Sequence, residues 1–102
     1  MARKQLSEEE VLRIGDMGIN ELNEYIKDNP DCADAYERRG DYYMRYAESE
    51  YYGRCDDRWM DFCRRAIWDT EKAMILNPKF AYLQKYIDRL KRSLVEGKLI
   101  ME

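Results

Sequence analysis

The chain of 102 residues contains no histidine. The commonest general base is therefore missing, and with it any Ser-His or Cys-His nucleophile and the usual imidazole ligands of zinc. The three cysteines, Cys32, Cys55 and Cys63, form no CxxC pair. Cys55 and Cys63 stand eight residues apart; on one helix that separation is about 12 Å, too far for a disulfide. The five glycines, at 15, 18, 40, 53 and 97, make no phosphate-cradling motif. No apolar run approaches the roughly 20 residues that a bilayer span requires. β-Branched residues are sparse and do not alternate, so strand signals are absent. The net charge of −3 supplies no basic footprint for nucleic acid. These absences predict a protein that is not an enzyme, with no cofactor, no metal, no nucleic-acid partner and no membrane association. An odd cysteine count, with no apolar segment behind the opening "MARKQLSEEE", predicts reduced thiols and a cytoplasmic location.

What is present is 45% apolar and 38% charged, the balance of a soluble globular chain. Its length suits one domain with a modest core. Both prolines occur as Asn-Pro, at Asn29-Pro30 and Asn77-Pro78, and between them nothing forbids helix. The expected fold class is all-α. Residues 1–6 are expected to be a flexible N-terminus, 7–97 a single helical domain, and 98–102 a C-terminal tail.

Ser7 and Glu10 form a capping-box pattern ahead of "EEEVLRIGDMGINELNEYIKD". Val11, Ile14, Gly18, Leu22 and Tyr25 follow three-four spacing, so one face is buried. Gly15 and Gly18 each cost about 1 kcal/mol relative to alanine inside a helix. The segment is either one helix with a close contact at the glycines or two short helices, and a break near Asp16–Gly18 is favoured. A second helix follows Pro30, with Asp31 or Asp34 available as its cap. It carries a stripe of Tyr36, Gly40, Tyr43 and Ala47. A third, from about Asp56 to Leu76, repeats the spacing with Trp59, Cys63, Ala66, Thr70 and Ala73. A fourth, from Pro78, shows Phe80, Leu83, Ile87, Leu90 and Leu94 against a charged opposite face, with a glycine stop at Gly97.

The run "NPDCADAYERRGDYY" resembles the opening of a tetratricopeptide repeat, with Ala33, Tyr36, Gly40 and Tyr43 in the places that family gives to alanine, an aromatic, glycine and tyrosine. Ala66, Ala73 and the closing "ILNP" resemble the second helix of the same repeat. The stretch "NELNEYIKDNP" is similar to the tail of a preceding pair, and the residues after Pro78 to a capping helix. The resemblance implies antiparallel hairpins in a right-handed superhelical array of about two repeats plus a C-terminal cap. One departure is plain. Pro30 to Pro78 is 48 residues, about 14 more than the family period of about 34. Shared equally, the excess adds about two turns, or roughly 10 Å, to each helix of the hairpin. Residues 48–61 then read as two helix ends and a tight turn at Gly53, and the hairpin is expected to project.

The implied function is a protein–protein interaction module, an adaptor that binds a protein or peptide. The family's groove is lined by the first helix of each pair, whose exposed face here carries Asp34, Glu37, Asp41, Met44 and Arg45. The Lys, Arg and Asn pattern with which the family clamps a C-terminal carboxylate is absent, and the three carboxylates favour a partner with basic groups. Tyr51, Tyr52 and Trp59, with Tyr46 nearby, either cover one another at the hairpin tip or form a second contact patch. The alternative is self-association, a homodimer that covers the ends of a thin array.

Overall fold

Residues 6–49 and 57–97 are described by a computed structural model of the chain. Five α-helices and one 3-10 segment follow in order: α1 (Glu8–Gly15), α2 (Ile19–Asp28), α3 (Ala33–Ser49), α4 (Asp57–Leu76), the 3-10 segment Pro78–Leu83, and α5 (Gln84–Glu96). Among the described residues there is no strand, and no helix is long and apolar enough to cross a membrane.

Local chemistry sets most helix ends. The Ser7 hydroxyl accepts the Glu10 amide at 3.2 Å, and three acids fill the first turn of α1, where the helix dipole favours negative charge. The chain breaks between Gly15 and Ile19, so the segment is two helices. Gly18 precedes α2, and its amide donates to Glu21 Oε1 at 3.4 Å. The break is held from outside as well. Met17 is buried, and its carbonyl accepts the Tyr42 hydroxyl of α3 at 2.9 Å. Across the break, the Tyr25 hydroxyl donates to Glu10 Oε1 at 2.9 Å and latches α1 to α2. Leu6, ahead of α1, packs on the core.

Neither Asp31 nor Asp34 stands at the cap position of α3. Cys32 does, with the amides of Ala35 and Asp34 donating towards its sulfur; Asp34 lies inside the first turn. At the other end of the domain, Asn77 Oδ1 accepts the Lys79 amide at 3.1 Å ahead of Pro78. The helix expected from Pro78 starts as six residues of 3-10 before α5, a common form for a helix start. Gly97 ends α5 in the left-handed conformation, at φ 69°.

The α3/α4 hairpin is the spine, and it carries two cores. At its base, Ala33, Ala35 and Tyr36 of α3 and Ala73 of α4 meet Ile14, Met17, Leu22 and Ile26 from the N-terminal pair, together with Phe80. Towards its tip, Ala47 of α3 and Trp59, Cys63, Ala66 and Ile67 of α4 meet Ile87 and Leu90 of α5. The long hairpin is thus covered by different partners along its length, α1 and α2 on one half and α5 on the other. The turn expected at Gly53 lies outside the described residues; α3 is helical to Ser49, and α4 starts at Asp57.

Between the two cores the helices approach closely at Gly40. A Cβ there would lie 2.9 Å from Thr70 Oγ1, 3.2 Å from Asp69 Cβ and 3.4 Å from the Ala66 carbonyl. Beside it is a feature absent from the sequence reading, a buried ion pair. Arg39 Nε and Nη2 both reach the Asp69 carboxylate at 2.8 Å, and Arg39 Nη1 donates to Asn23 Oδ1 at 3.1 Å. Asp69 is only 1% exposed. Three helices, α2, α3 and α4, are tied at one point. Burial pushes the Asp69 carboxyl up, and the paired guanidinium opposes that shift.

Candidate functional site

On α3 the residues Glu37, Asp41, Met44 or Arg45, and Glu48 recur every three to four positions, so they share one face. Of that face only Met44 packs on a core, the one shared with α5. The face forms one wall of an open cleft of about 360 Å³. The opposite wall is the C-terminal segment, with Tyr82 and Leu83 from the 3-10 turn and Tyr86, Ile87, Arg89 and Leu90 from α5. Gly40, Ala66 and Thr70 make the floor. The missing side chain at Gly40 therefore sets both the helix approach and the depth of the cleft.

Ion pairs bridge the two walls at either end. Lys79 Nζ lies 3.0 Å from Asp34 Oδ1 at the start of α3. Arg89 Nη2 lies 3.6 Å from Glu48 Oε1 near its end. Asp34 and Glu48 are fourteen positions apart, about 21 Å along the helix axis. The trough between them has two exposed rings on its rim, Tyr82 at 63% and Tyr86 at 43% accessibility. The Arg89 guanidinium lies over the Tyr86 ring, 5.1 Å from its centroid, and its Nε is buried without a hydrogen-bond partner.

The carboxylates of this face are matched to cations with one exception. Asp34 has Lys79, Glu48 has Arg89, and Asp41 has Arg45 at 3.0 Å and Arg38 at 3.5 Å. Glu37 forms no hydrogen bond or ion pair among the described residues, although it lines the cleft and is partly buried. Burial pushes its carboxyl above the usual range. The charges of Asp41 and Asp34 push the same way, and Arg38 and Lys79 oppose them.

Five of the expected contact residues, Asp34, Glu37, Asp41, Met44 and Arg45, thus lie on one face; the last four line the cleft, and Asp34 pairs at its end. Trp59 is a correction. Its side chain is fully buried in the core against α5, where a ring of that size gains most by leaving water, so it offers no anchor to a partner. Tyr46 is half-buried and packs on Phe62 with centroids 5.6 Å apart. Tyr51 and Tyr52 lie outside the described residues. The sequence reading missed the whole second wall. Its signal was there in Tyr82 and Tyr86, four apart beside the apolar stripe of Leu83, Ile87 and Leu90, but the C-terminal helix read as a solvating cap. No protein-family model matches this chain, and no match is found among curated proteins or solved structures.

Proposed function

We propose that the chain is a non-enzymatic interaction module of tetratricopeptide-repeat type, and that it holds an extended segment of a partner protein in the cleft between α3 and the C-terminal segment. One observation carries this reading. Two walls bridged at both ends leave between them an open trough whose rim presents two exposed tyrosines. Tyrosine combines large apolar area with a polar tip and is enriched at the centres of interfaces. The α3 wall runs from Glu37 to Glu48, about 16 Å, and accepts about five residues of extended chain at roughly 3.3 Å each. α3 is anchored in both cores and α5 in the second of them, so the site needs little reorganisation to bind, which lowers the entropic cost.

The test is selection of peptides from a random displayed library on the full chain, followed by mapping of backbone amide shifts. The expected perturbations centre on Glu37, Met44, Tyr82 and Tyr86. Met44→Ala with Tyr86→Ala is expected to weaken binding about tenfold or more, with the helical circular dichroism unchanged. Selected peptides that shift only residues away from the cleft would reject the site.

A second reading has its own support. Trp68 and Ile75 are 57% and 78% exposed and lie seven positions apart on the outer face of α4. Seven residues return to the same helix face, so the two form a candidate self-association patch. Light scattering tests it: Trp68→Ala with Ile75→Ser turns a dimer into a monomer if α4 is the contact. A wild-type chain that is monomeric at high concentration removes this reading.

A further inference from the structure

The charge balance of the cleft points to one feature of the partner. We propose that the segment held in the cleft carries a lysine or arginine, and that Glu37 receives its cation. The inference rests on the docking reading above and deepens it.

On the cleft face of α3, each acid other than Glu37 takes a cation from this chain: Asp34 from Lys79, Asp41 from Arg38 and Arg45, Glu48 from Arg89. These pairs occupy the cations nearest the cleft and leave one carboxylate over. Glu37 lines the trough together with Met44, Tyr82 and Tyr86, so a side chain that reaches it also meets apolar and aromatic surface. A lysine or arginine suits both parts, because its aliphatic stem covers apolar surface while its head meets the acid. The aromatic rings add attraction for the cation. An acidic segment would instead bring like charge against Glu37, which disfavours it.

The free protein bears the consequence of this arrangement. Among the described residues the half-buried Glu37 carboxylate has no ion pair; burial is the first cause of its raised proton affinity, and the charges of Arg38 and Lys79 offset it only in part. That is a destabilising feature which no ion pair among the described residues offsets. A cation supplied from outside removes it, so part of the binding free energy is already stored at this position.

The experiment uses peptides selected on the full chain and resynthesised with each Lys or Arg in turn replaced by Gln. One replacement is expected to weaken binding about tenfold or more, equivalent to at least about 1.4 kcal/mol. Against Glu37→Gln the same two peptides are expected to bind equally, which closes a double-mutant cycle on one pair of groups. Carbon-detected titration of the Glu37 carboxyl is expected to show its pKa falling when the basic peptide is added, and not with the Gln peptide. Cleft-binding peptides with no basic residue, or a Lys-to-Gln penalty that persists in Glu37→Gln, overturn the cation site and leave the docking cleft standing. Selected peptides that bind elsewhere overturn both.

Discussion

Gly40→Ala sets two known effects against each other. Alanine is favoured over glycine inside a helix by about 1 kcal/mol, so an exposed site on α3 would gain stability. Gly40 is instead buried against α4, and its new methyl would stand 2.9 Å from Thr70 Oγ1 and 3.2 Å from Asp69 Cβ. Thr70 can relieve the first contact by turning about χ1, since threonine has two rotamers in a helix. Asp69 cannot give way as freely. Its Cβ is fixed to the backbone, and its carboxylate is held by two 2.8 Å bonds from Arg39. Overpacking of a well-filled contact costs about 1–3 kcal/mol, so the net effect is a loss of about 1 kcal/mol for alanine and more for leucine. Urea denaturation followed by circular dichroism measures it, with an unchanged m-value as the check that the unfolded reference is the same. In a Thr70→Ala background the Asp69 contact at 3.2 Å remains, so Gly40→Ala is expected to keep most of its cost. A Gly40→Ala chain more stable than wild type would refute the close approach of α3 and α4.

Asp69→Ala leaves Arg39 without its buried partner and is expected to cost about 3 kcal/mol, whereas Arg39→Met with Asp69→Leu recovers most of that loss, both read from denaturation midpoints. Trp59→Ala opens a cavity at a fully buried ring and is expected to cost about 3–5 kcal/mol; an alanine variant as stable as wild type would return Trp59 to the surface. Glu37→Gln is expected to raise stability at neutral pH. The folded-state pKa of Glu37 lies above its unfolded value, so its contribution is fully present where the group is protonated in both states and is lost as pH rises through the folded value. The gain from glutamine should accordingly be seen at pH 7 and vanish below about pH 4, near the unfolded carboxylate value; a gain of equal size at both pH values would show that desolvation of the charge is not its cause.

The helices and most of their limits were legible because they depend on neighbours in sequence. Ser7, Gly18, Asn77-Pro78 and Gly97 act on backbone groups a few positions away, and each marks a boundary in the structure. The capping of α3 was misread because aspartate is the commoner cap, while the position belongs to Cys32. The core stripes were legible for a similar reason. Gly40, Ala47, Trp59, Cys63, Ala66 and Ala73 fall on helical spacing, and all are buried. Spacing shows that a face is buried, and it does not show against what. Spacing alone therefore suits Trp59 to core and contact alike, and its packing with Ile87 and Leu90 of α5 makes it core.

From the sequence alone came an all-helical hairpin chain, a break at Gly18, a glycine that needs a close neighbour, and an acidic face on the helix after Pro30. Those properties follow from backbone capping, periodicity and side-chain size, which act over one or two turns. The partners across space came from the packing of distant segments. Arg39 meets Asp69 across thirty positions, and Asp34 meets Lys79 across forty-five. Only this packing converts a solvated face into the wall of a cleft, sets Tyr82 and Tyr86 opposite it, and leaves Glu37 as the carboxylate of that wall with no ion pair among the described residues. Charges and rings spaced along a chain carry no information about which of them will share a low-dielectric space. That is settled by how the helices pack, and here α3 and the C-terminal segment are held apart by the α4 residues between them.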